Sequence, residues 1–244
     1  MEIVRASAVT RVFPTRITQS LGICLKLGAE HAVSSNGKQL RYPADALCVR
    51  APGCVWGCEP APVGFLSIDI ASAALPEDIG RRGMTFLPSC LDLFDAARRL
   101  EASDPLLREQ TLAEVVVALV EHGAVHGCSS LAEDAPVRRA CERLADALDQ
   151  PLRLDRLAHD VGVNKFVLIR RFRAQTGSTP HRYRTLLRVE QARALIARGV
   201  EMVEVANALG FADQAHLSRT FKQVVGVAPR VYARSVRSSV SVPA

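Results

Sequence analysis

The sequence predicts an α+β fold in which a small antiparallel β domain is followed by an all-α domain. Three observations support this prediction. Short apolar runs alternate with turn residues up to about residue 72, and apolar residues recur at helical spacing beyond Pro136. One helix-turn-helix pattern also occurs twice in this second part. A chain of 244 residues is long enough to bury two hydrophobic cores.

The β domain is predicted from four apolar runs and the turn residues that separate them. The runs are Ser20–Leu27, Gln39–Tyr42, Ala46–Val49 and Val63–Ile70. The turns are Asn36-Gly37, Tyr42-Pro43, Ala51-Pro52-Gly53 and Pro60-Ala61-Pro62. Runs of this length with such punctuation predict a small antiparallel sheet or barrel.

A helical region follows Pro76, with helices expected near Cys90–Glu101 and Pro105–His122. In the second of these helices one stripe comprises Leu107, Leu112, Val115, Val116 and Leu119. This stripe fits packing within its own domain or a dimer seam. Since Gly123–Ala135 has no clear period, the predicted boundaries are a domain at 1–128, a linker at 129–136 and a domain at 137–240.

Seven helical segments are predicted in the last domain, at about 136–149, 155–160, 164–176, 180–198, 203–208, 213–225 and from Pro229 onward. Asn164, Thr179 and Asp213 are expected N-caps, and Gly199 is expected to end the longest helix. That helix is a rod of about 28 Å at 1.5 Å per residue. Its apolar stripe comprises Leu186, Val189, Ala192, Leu195 and Ile196.

The repeat in this domain has an offset of forty-nine positions. Leu168, Arg170, Phe172, Gly177, Pro180 and Tyr183 recur as Leu217, Arg219, Phe221, Gly226, Pro229 and Tyr232. The preceding helices and turns match at an offset of forty-eight, where Ala158 and Gly162 correspond to Ala206 and Gly210. Two copies of a module that can place a helix in a major groove predict sequence-specific DNA binding.

Each recognition helix is expected to bury one face and to present another to bases. Leu168 with Phe172, and Leu217 with Phe221, are predicted to be core. The predicted base-facing residues are Lys165, Phe166, Ile169 and Arg170 in the first unit and Gln214, Ala215, Ser218 and Arg219 in the second. Arg171, Arg173 and Lys222 are expected at the phosphate backbone. Two alternatives stay open, since Arg170 and Arg219 also fit a solvated surface or a phosphate clamp, and Phe166 also fits the core.

Charge differs between the two parts of the chain. Residues 1–135 carry 12 Lys/Arg against 16 Asp/Glu, whereas residues 136–244 carry 19 against 9. The positive second part suits a polyanionic partner. Arg5, Arg11 and Arg16 interrupt the N-terminal apolar run that a signal peptide needs, and Val115–Val120 is too short to span a bilayer. We therefore expect a cytoplasmic protein without membrane contact, whose seven cysteines are reduced.

Residues 137–236 resemble the DNA-binding domain of the AraC/XylS family of transcription regulators. The resemblance is carried by the stretch Gly210–Lys222 together with Gly226, Pro229 and Tyr232. It implies seven helices and two helix-turn-helix units joined by a long helix, with recognition helices entering successive major grooves. It also places the family's base-contacting positions on Phe166, Ile169, Arg170, Gln214, Ala215, Ser218 and Arg219. Ala215 and Leu217 depart from the commonest residues of the second unit, which bears on base preference.

The first part is similar to the sensory and dimerisation domain of that family, a cupin-like barrel followed by helices. The similarity rests on Tyr42–Leu47 and on the turn Ala51-Pro52-Gly53. Trp56 occupies the neighbourhood where many such barrels place a histidine, so the expected site is a cavity for a small organic effector lined by Trp56 and Phe65. Expected partners are double-stranded promoter DNA, this effector, a second copy in a homodimer, and RNA polymerase if the protein is an activator.

The sequence leaves two alternatives to a ligand-responsive regulator. Cys48, Cys54 and Cys58 lie within eleven residues around a turn, which fits a thiol- or soft-metal-responsive switch acting on the same promoter machinery. A metal-dependent cupin enzyme requires clustered histidine and carboxylate ligands, and His31 is the one histidine in the predicted strand region. The sequence therefore predicts no catalytic residue, no metal ligand and no cofactor.

Overall fold

The computed structural model describes residues 2–9, 13–27, 29–44, 46–58, 63–71, 84–87, five positions between 110 and 119, and 134–240. The chain divides into two compact units, of which the second consists of Phe13–Ile17 and the residues from Asp134 onward. The first unit consists mainly of strands, and the second consists mainly of helices. This arrangement confirms the predicted α+β fold class.

The described strands of the chain run in order from β1 to β9. They are Glu2–Val9 (β1), Phe13–Ile17 (β2), Ser20–Leu27 (β3), His31–Ser35 (β4), Lys38–Tyr42 (β5), Leu47–Arg50 (β6), Val55–Cys58 (β7), Val63–Ala71 (β8) and Met84–Leu87 (β9). One antiparallel sheet has the order β1-β8-β3-β6-β9. A second sheet includes β7, β4 and β5 in that order. By its contacts, β2 groups with the helical unit.

The two sheets of the first unit share one core. Cys24 and Cys48 come from the first sheet, and Val33 and Tyr42 come from the second; all four are buried in one cluster with Ala46. Tyr42 Oη donates to the Cys24 carbonyl oxygen across this core at 2.7 Å. Within the described strands the sheets are not joined into one closed barrel, so the unit is a cupin-like arrangement of two packed sheets.

The connections in the first unit follow the predicted turn chemistry in part. Asn36 and Gly37, with φ of 48° and 77°, join β4 to β5 in the two-residue hairpin expected for an Asn-Gly pair. Strand β9 lies in the region beyond Pro76, where the sequence predicted helices. The predicted helix at Cys90–Glu101 lies outside the described residues. Positions 110, 111, 114, 117 and 119 have helical backbone, as the predicted helix at Pro105–His122 requires.

The described part of the second unit contains seven helices. They are Ala135–Asp146 (α1), Leu154–Asp160 (α2), Lys165–Thr176 (α3), Pro180–Ala197 (α4), Met202–Ala208 (α5), Gln214–Val225 (α6) and Pro229–Val240 (α7). Each predicted helix is therefore present, with bounds shifted by up to about three residues. The predicted caps also form: Asn164 Oδ1 accepts from Phe166 N, Thr179 Oγ1 from Arg182 N, and Asp213 Oδ1 from His216 N.

Helix α4 is the central rod of this unit. It packs against α1, α3, α5, α6 and α7. Its buried residues include Leu186, Val189, Ala192 and Ile196, whereas Leu195 is only partly buried. Because one rigid helix contacts both helix-turn-helix units, α2–α3 and α5–α6 are held in a fixed relation.

Candidate nucleic-acid interface

The first recognition helix, α3, separates packing residues from exposed residues. Leu168 and Phe172 are fully buried, and Phe172 meets Tyr183 of α4 edge to face at 5.2 Å between ring centroids. Phe166 is 74% exposed although it is a large apolar residue. Its exposure excludes the alternative that Phe166 belongs to the core. Burial therefore anchors α3 while leaving the opposite face free for a partner.

The second recognition helix, α6, repeats this division. Leu217 and Phe221 are fully buried, and Phe221 packs on Tyr232 of α7 with ring centroids 5.5 Å apart. The exposed residues of α6 are Gln214, Ala215, His216, Arg219, Lys222 and Gln223, and Ser218 is partly exposed. The aromatic pair of the first unit therefore recurs at the predicted offset of forty-nine, with the same outward positions on the helix.

The predicted base-facing residues occupy equivalent outward positions in the two helices. Phe166 and Arg170 correspond to Ala215 and Arg219, and all four side chains are exposed. Ile169 and Ser218 correspond at the flank of this face, where each is partly buried. We call the residues Phe166, Ile169, Arg170, Ala215, Ser218 and Arg219 the reading face. It combines apolar groups suited to a thymine methyl with arginines suited to guanine.

The cations at the edges of the reading face have different surroundings. Arg173 and Lys222 correspond at an offset of forty-nine and are both exposed. Arg171 lies on another side of α3, where its Nε is 3.8 Å from Asp134 Oδ2. Its counterpart in α6 is Thr220, which is buried. The geometry thus groups Arg173 with Lys222, and it places Arg171 beside the N-cap residue of α1.

A groove borders the start of each recognition helix. In the first helix-turn-helix unit, a groove of about 730 Å³ lies among the first residues of α2, α3 and α4. Its polar lining consists of Arg153, Asp155, Arg156, Lys165 and His181. In the second unit a groove of about 420 Å³ involves the equivalent ends of α5, α6 and α7, including Glu201, Gln214, Arg230 and Arg234. The sequence prediction included Lys165 and Gln214 and missed the other polar residues.

Two arginines of α4 fix the loop between α1 and α2. Arg184 Nη2 donates to the carbonyl oxygen of Gln150, and Arg188 Nε donates to that of Leu148 at 2.7 Å. Arg188 also lies over the Phe211 ring, 5.6 Å from its centroid. Burial, together with repulsion from Arg184, lowers the pKa of Arg188 to about 10, so the guanidinium remains charged near neutral pH. These contacts connect the loop before the first helix-turn-helix unit to the turn of the second helix-turn-helix unit.

The predicted effector-site residues lie on two strands of the strand-rich first unit of the chain. Trp56 is a partly buried residue of β7, and Phe65 is in β8, where its backbone pairs with Ala6 and Lys26. The guanidinium of Arg50 lies over the Trp56 ring at 4.4 Å. Arg50 is buried and donates to Ser67 Oγ at 2.9 Å, while Asp69 Oδ1 is 4.0 Å away. Its Nε has no hydrogen-bond partner in the described part of the chain.

The thiols predicted as an alternative sensor are mostly inaccessible. Cys48 and Cys54 are buried, and Cys58 is partly buried. Burial raises the pKa of Cys48, and it raises that of Cys54 to about 11. Reactive thiols require the opposite shift, toward a lower pKa. Over the described residues, no three His, Cys, Asp or Glu side chains are grouped as a metal site would require.

Comparison with known proteins agrees with the geometry of the helical unit. Residues 157–235 match a family model described as a helix-turn-helix domain. The chain is 32% identical over 119 residues to the uncharacterized HTH-type transcriptional regulator YbfI of Bacillus subtilis. The aligned region covers 48% of this chain and 43% of YbfI. The chain is 34% identical over 95 residues to the MmsAB operon regulatory protein of Pseudomonas aeruginosa, covering 38% and 31%.

A solved structure extends the likeness to the whole fold. The ToxT protein of Vibrio cholerae, crystallised with an unsaturated fatty acid, superposes with a TM-score of 0.70 at 11% identity, over 95% of this chain and 94% of ToxT. The matched sequence spans less than half the length of the curated relatives. In the described residues we find no helix with the length and apolarity to cross a membrane.

The helical unit is thus a double helix-turn-helix domain, and both recognition helices contribute residues to the outward reading face. Its match to a helix-turn-helix domain family and to HTH-type regulators supports the resemblance to the AraC/XylS family that the sequence predicted.

Proposed function

We propose that this chain is a sequence-specific DNA-binding transcription regulator whose two recognition helices enter successive major grooves of promoter DNA. The observation that carries this proposal is the matched exposure of Arg170 and Arg219 on helices whose opposite faces are buried. Bidentate bonds from arginine to guanine and apolar contacts to thymine are the chemistry that this face offers. Such a regulator acts on the chromosome, in the cytoplasm.

The two units are proposed to read DNA in different ways. Gln214, Ser218 and Arg219 provide polar groups for base edges in the second unit. Phe166 and Ile169 provide apolar contacts in the first, with Arg170 as the arginine of its reading face. Arg173 and Lys222 are proposed near phosphates, where they contribute affinity and salt dependence. Lys165 borders the reading face and is paired with Asp155. We assign Arg171 to its ion pair with Asp134 instead of DNA.

A map of the genomic sites that the full chain occupies tests this proposal. The wild type is expected to occupy discrete promoter sites, and the double variant Arg170→Ala with Arg219→Ala is expected to lose them. Arg138→Ala serves as a matched control, because Arg138 is an exposed arginine of α1 paired with Glu142. Retention of the same sites by the double variant would exclude the reading face as the source of specificity.

The first unit is proposed to sense a small effector and to form a homodimer, with a domain at 1–128 and a linker at 129–136. ToxT, which shares this fold, has been solved with an unsaturated fatty acid. In this chain the Trp56 ring offers a stacking surface, and the buried Arg50 offers a cation with a free donor. An effector with an anionic group fits these residues. If the protein is an activator, it also contacts RNA polymerase.

Thermal unfolding of the full chain with oleate, and separately with oleyl alcohol, tests the effector proposal. Binding to the folded state raises Tm. We expect oleate to raise Tm in the wild type and to raise it less in the Arg50→Met variant, whereas the uncharged alcohol has little effect on either. Equal shifts in wild type and variant would contradict a role for Arg50.

A further inference from the structure

An ion pair stands at the entrance of the first recognition helix. Lys165, the first residue of α3, places its Nζ 2.8 Å from Oδ1 of Asp155, the second residue of α2. The Asp155 side chain is 80% exposed and that of Lys165 is 36% exposed. Lys165 Nζ also lies 5.7 Å from the centroid of the Phe166 ring, next to the reading face. A carboxylate is therefore displayed beside a surface that is proposed to approach phosphates.

The Asp155 carboxylate contributes little to stability, since its place in the first turn of α2 favours a negative charge by only about 0.3–1 kcal/mol. An exposed ion pair contributes only about 0–1 kcal/mol to stability. Among the described residues that line the first groove, Asp155 is the one acidic side chain, and Arg153, Arg156, His181 and Lys165 are its neighbours. A negative charge at this place repels a DNA backbone and opposes binding.

The second helix-turn-helix unit shows which residues occupy the positions equivalent to Asp155 and Lys165. At the offset of forty-eight, Asp155 corresponds to Val203 of α5, and at forty-nine Lys165 corresponds to Gln214 of α6. Val203 is 56% exposed, so this position faces solvent in both units. The pair is thus charged in the first unit and uncharged in the second. The second groove is lined by a different carboxylate, Glu201, whereas in the first helix-turn-helix unit the carboxylate is paired with the lysine that begins the recognition helix.

We propose that Asp155 is a specificity-determining residue that restrains Lys165 and limits sequence-independent binding to DNA. By holding the ammonium group in an intramolecular pair, Asp155 prevents Lys165 from binding any phosphate within reach. Discrimination then depends more on base contacts made by the reading face. This inference rests on the proposed function and adds a residue that opposes binding to random sequences.

Binding of the full-length Asp155→Asn variant to DNA tests the inference. Each phosphate that a cation neutralises adds about −0.9 to the slope of log K against log salt concentration. In the variant we expect this slope on a random duplex to be steeper by about one, and Kd on that duplex to fall about threefold to tenfold near 0.1 M salt. Affinity for a selected specific site should rise by a smaller factor, so the ratio of specific to random affinity falls.

Asp160→Asn is the matched control, because Asp160 also lies in α2 but pairs with Arg143 at 3.3 Å and is not part of the groove lining. Its salt slope should equal that of the wild type. In a Lys165→Gln background the Asp155→Asn change should no longer steepen the slope. An unchanged slope in Asp155→Asn, or an equal change with and without Lys165, would overturn the inference. A wild type that binds no duplex would instead refute the proposed function.

Discussion

At the scale of single residues, the recognition helices separate contact from support. Phe172 and Phe221 are fully buried, whereas Arg170 and Arg219, two positions earlier in each helix, are exposed. A spacing of two residues turns a side chain through about 200° around a helix, so these positions face in opposite directions. Substitutions at exposed positions should therefore change DNA recognition without changing stability.

Replacing Arg219 with alanine is expected to weaken binding to a specific site by about 1–3 kcal/mol and to relax preference at one base pair. Affinity for random DNA should change much less. The measurement is Kd on a set of duplexes that vary at each position of the site, with Arg138→Ala as control. If affinity for specific and random duplexes falls by the same factor, Arg219 contacts phosphate only.

The buried thiols of Cys48 and Cys54 are expected to react slowly in the folded protein. A pKa of about 11 for Cys54, against an ordinary value of 9.0, reduces the thiolate fraction at pH 8 about 100-fold. Iodoacetamide labelling followed by mass spectrometry should therefore modify Cys54 far more slowly in buffer than in urea.

If Cys48 and Cys54 of the folded protein are labelled at the rate seen in urea, the result would support the hypothesis of a thiol-responsive switch. That hypothesis further requires that serine at Cys48, Cys54 and Cys58 abolish a regulatory response while basal DNA affinity is kept. Burial of Cys48 and Cys54 favours the opposite result, namely that the response is unchanged.

At the scale of elements, helices were more predictable than strands. Helix signals are local: Asn164, Thr179 and Asp213 cap the helices that begin after them. Strand β6 is buried along its whole length, so no polar-apolar alternation marks its faces. Strands β4, β7 and β9 have only four or five residues, and their pairing depends on residues distant in sequence. These three strands were not predicted, and neither were β1 and β2.

The turns of the two helix-turn-helix units provide a stability test. Gly162 and Gly210 both have positive φ, of 77° and 65°. A Cβ added at Gly162 would meet no atom of the described residues within 4 Å, whereas one added at Gly210 would clash with the Asp149 carbonyl oxygen. Gly162→Ala should therefore cost about 1–2 kcal/mol of backbone strain, and Gly210→Ala about 3 kcal/mol or more.

Unfolding in urea, followed by circular dichroism, measures both glycine variants against the wild type. The larger Gly210→Val change should prevent the second unit from folding, for the same reason. Equal losses of stability at Gly162 and Gly210 would mean that the loop near Asp149 does not press on this turn.

At the scale of the whole molecule, the repeat predicted the double helix-turn-helix unit, and the match of residues 157–235 to a helix-turn-helix domain family agrees with that assignment. Outward positions on both recognition helices were predictable because the repeat aligns them with buried residues. The ion pair of Lys165 with Asp155 was not predictable from the sequence, because it depends on how the turn folds α2 against α3. The effector also stayed unpredicted, because a cavity is formed by residues from several strands.

The most direct test of the account is selection of binding sites from random duplex DNA by the full chain. Because α4 holds both recognition helices, one molecule should select two short conserved blocks whose centres are about 10 base pairs, one helical turn, apart on one face of the duplex. The block assigned to Arg219 should lose its preference in the Arg219→Ala variant. Selection of a single block, or of no sequence above the random pool, would contradict the account.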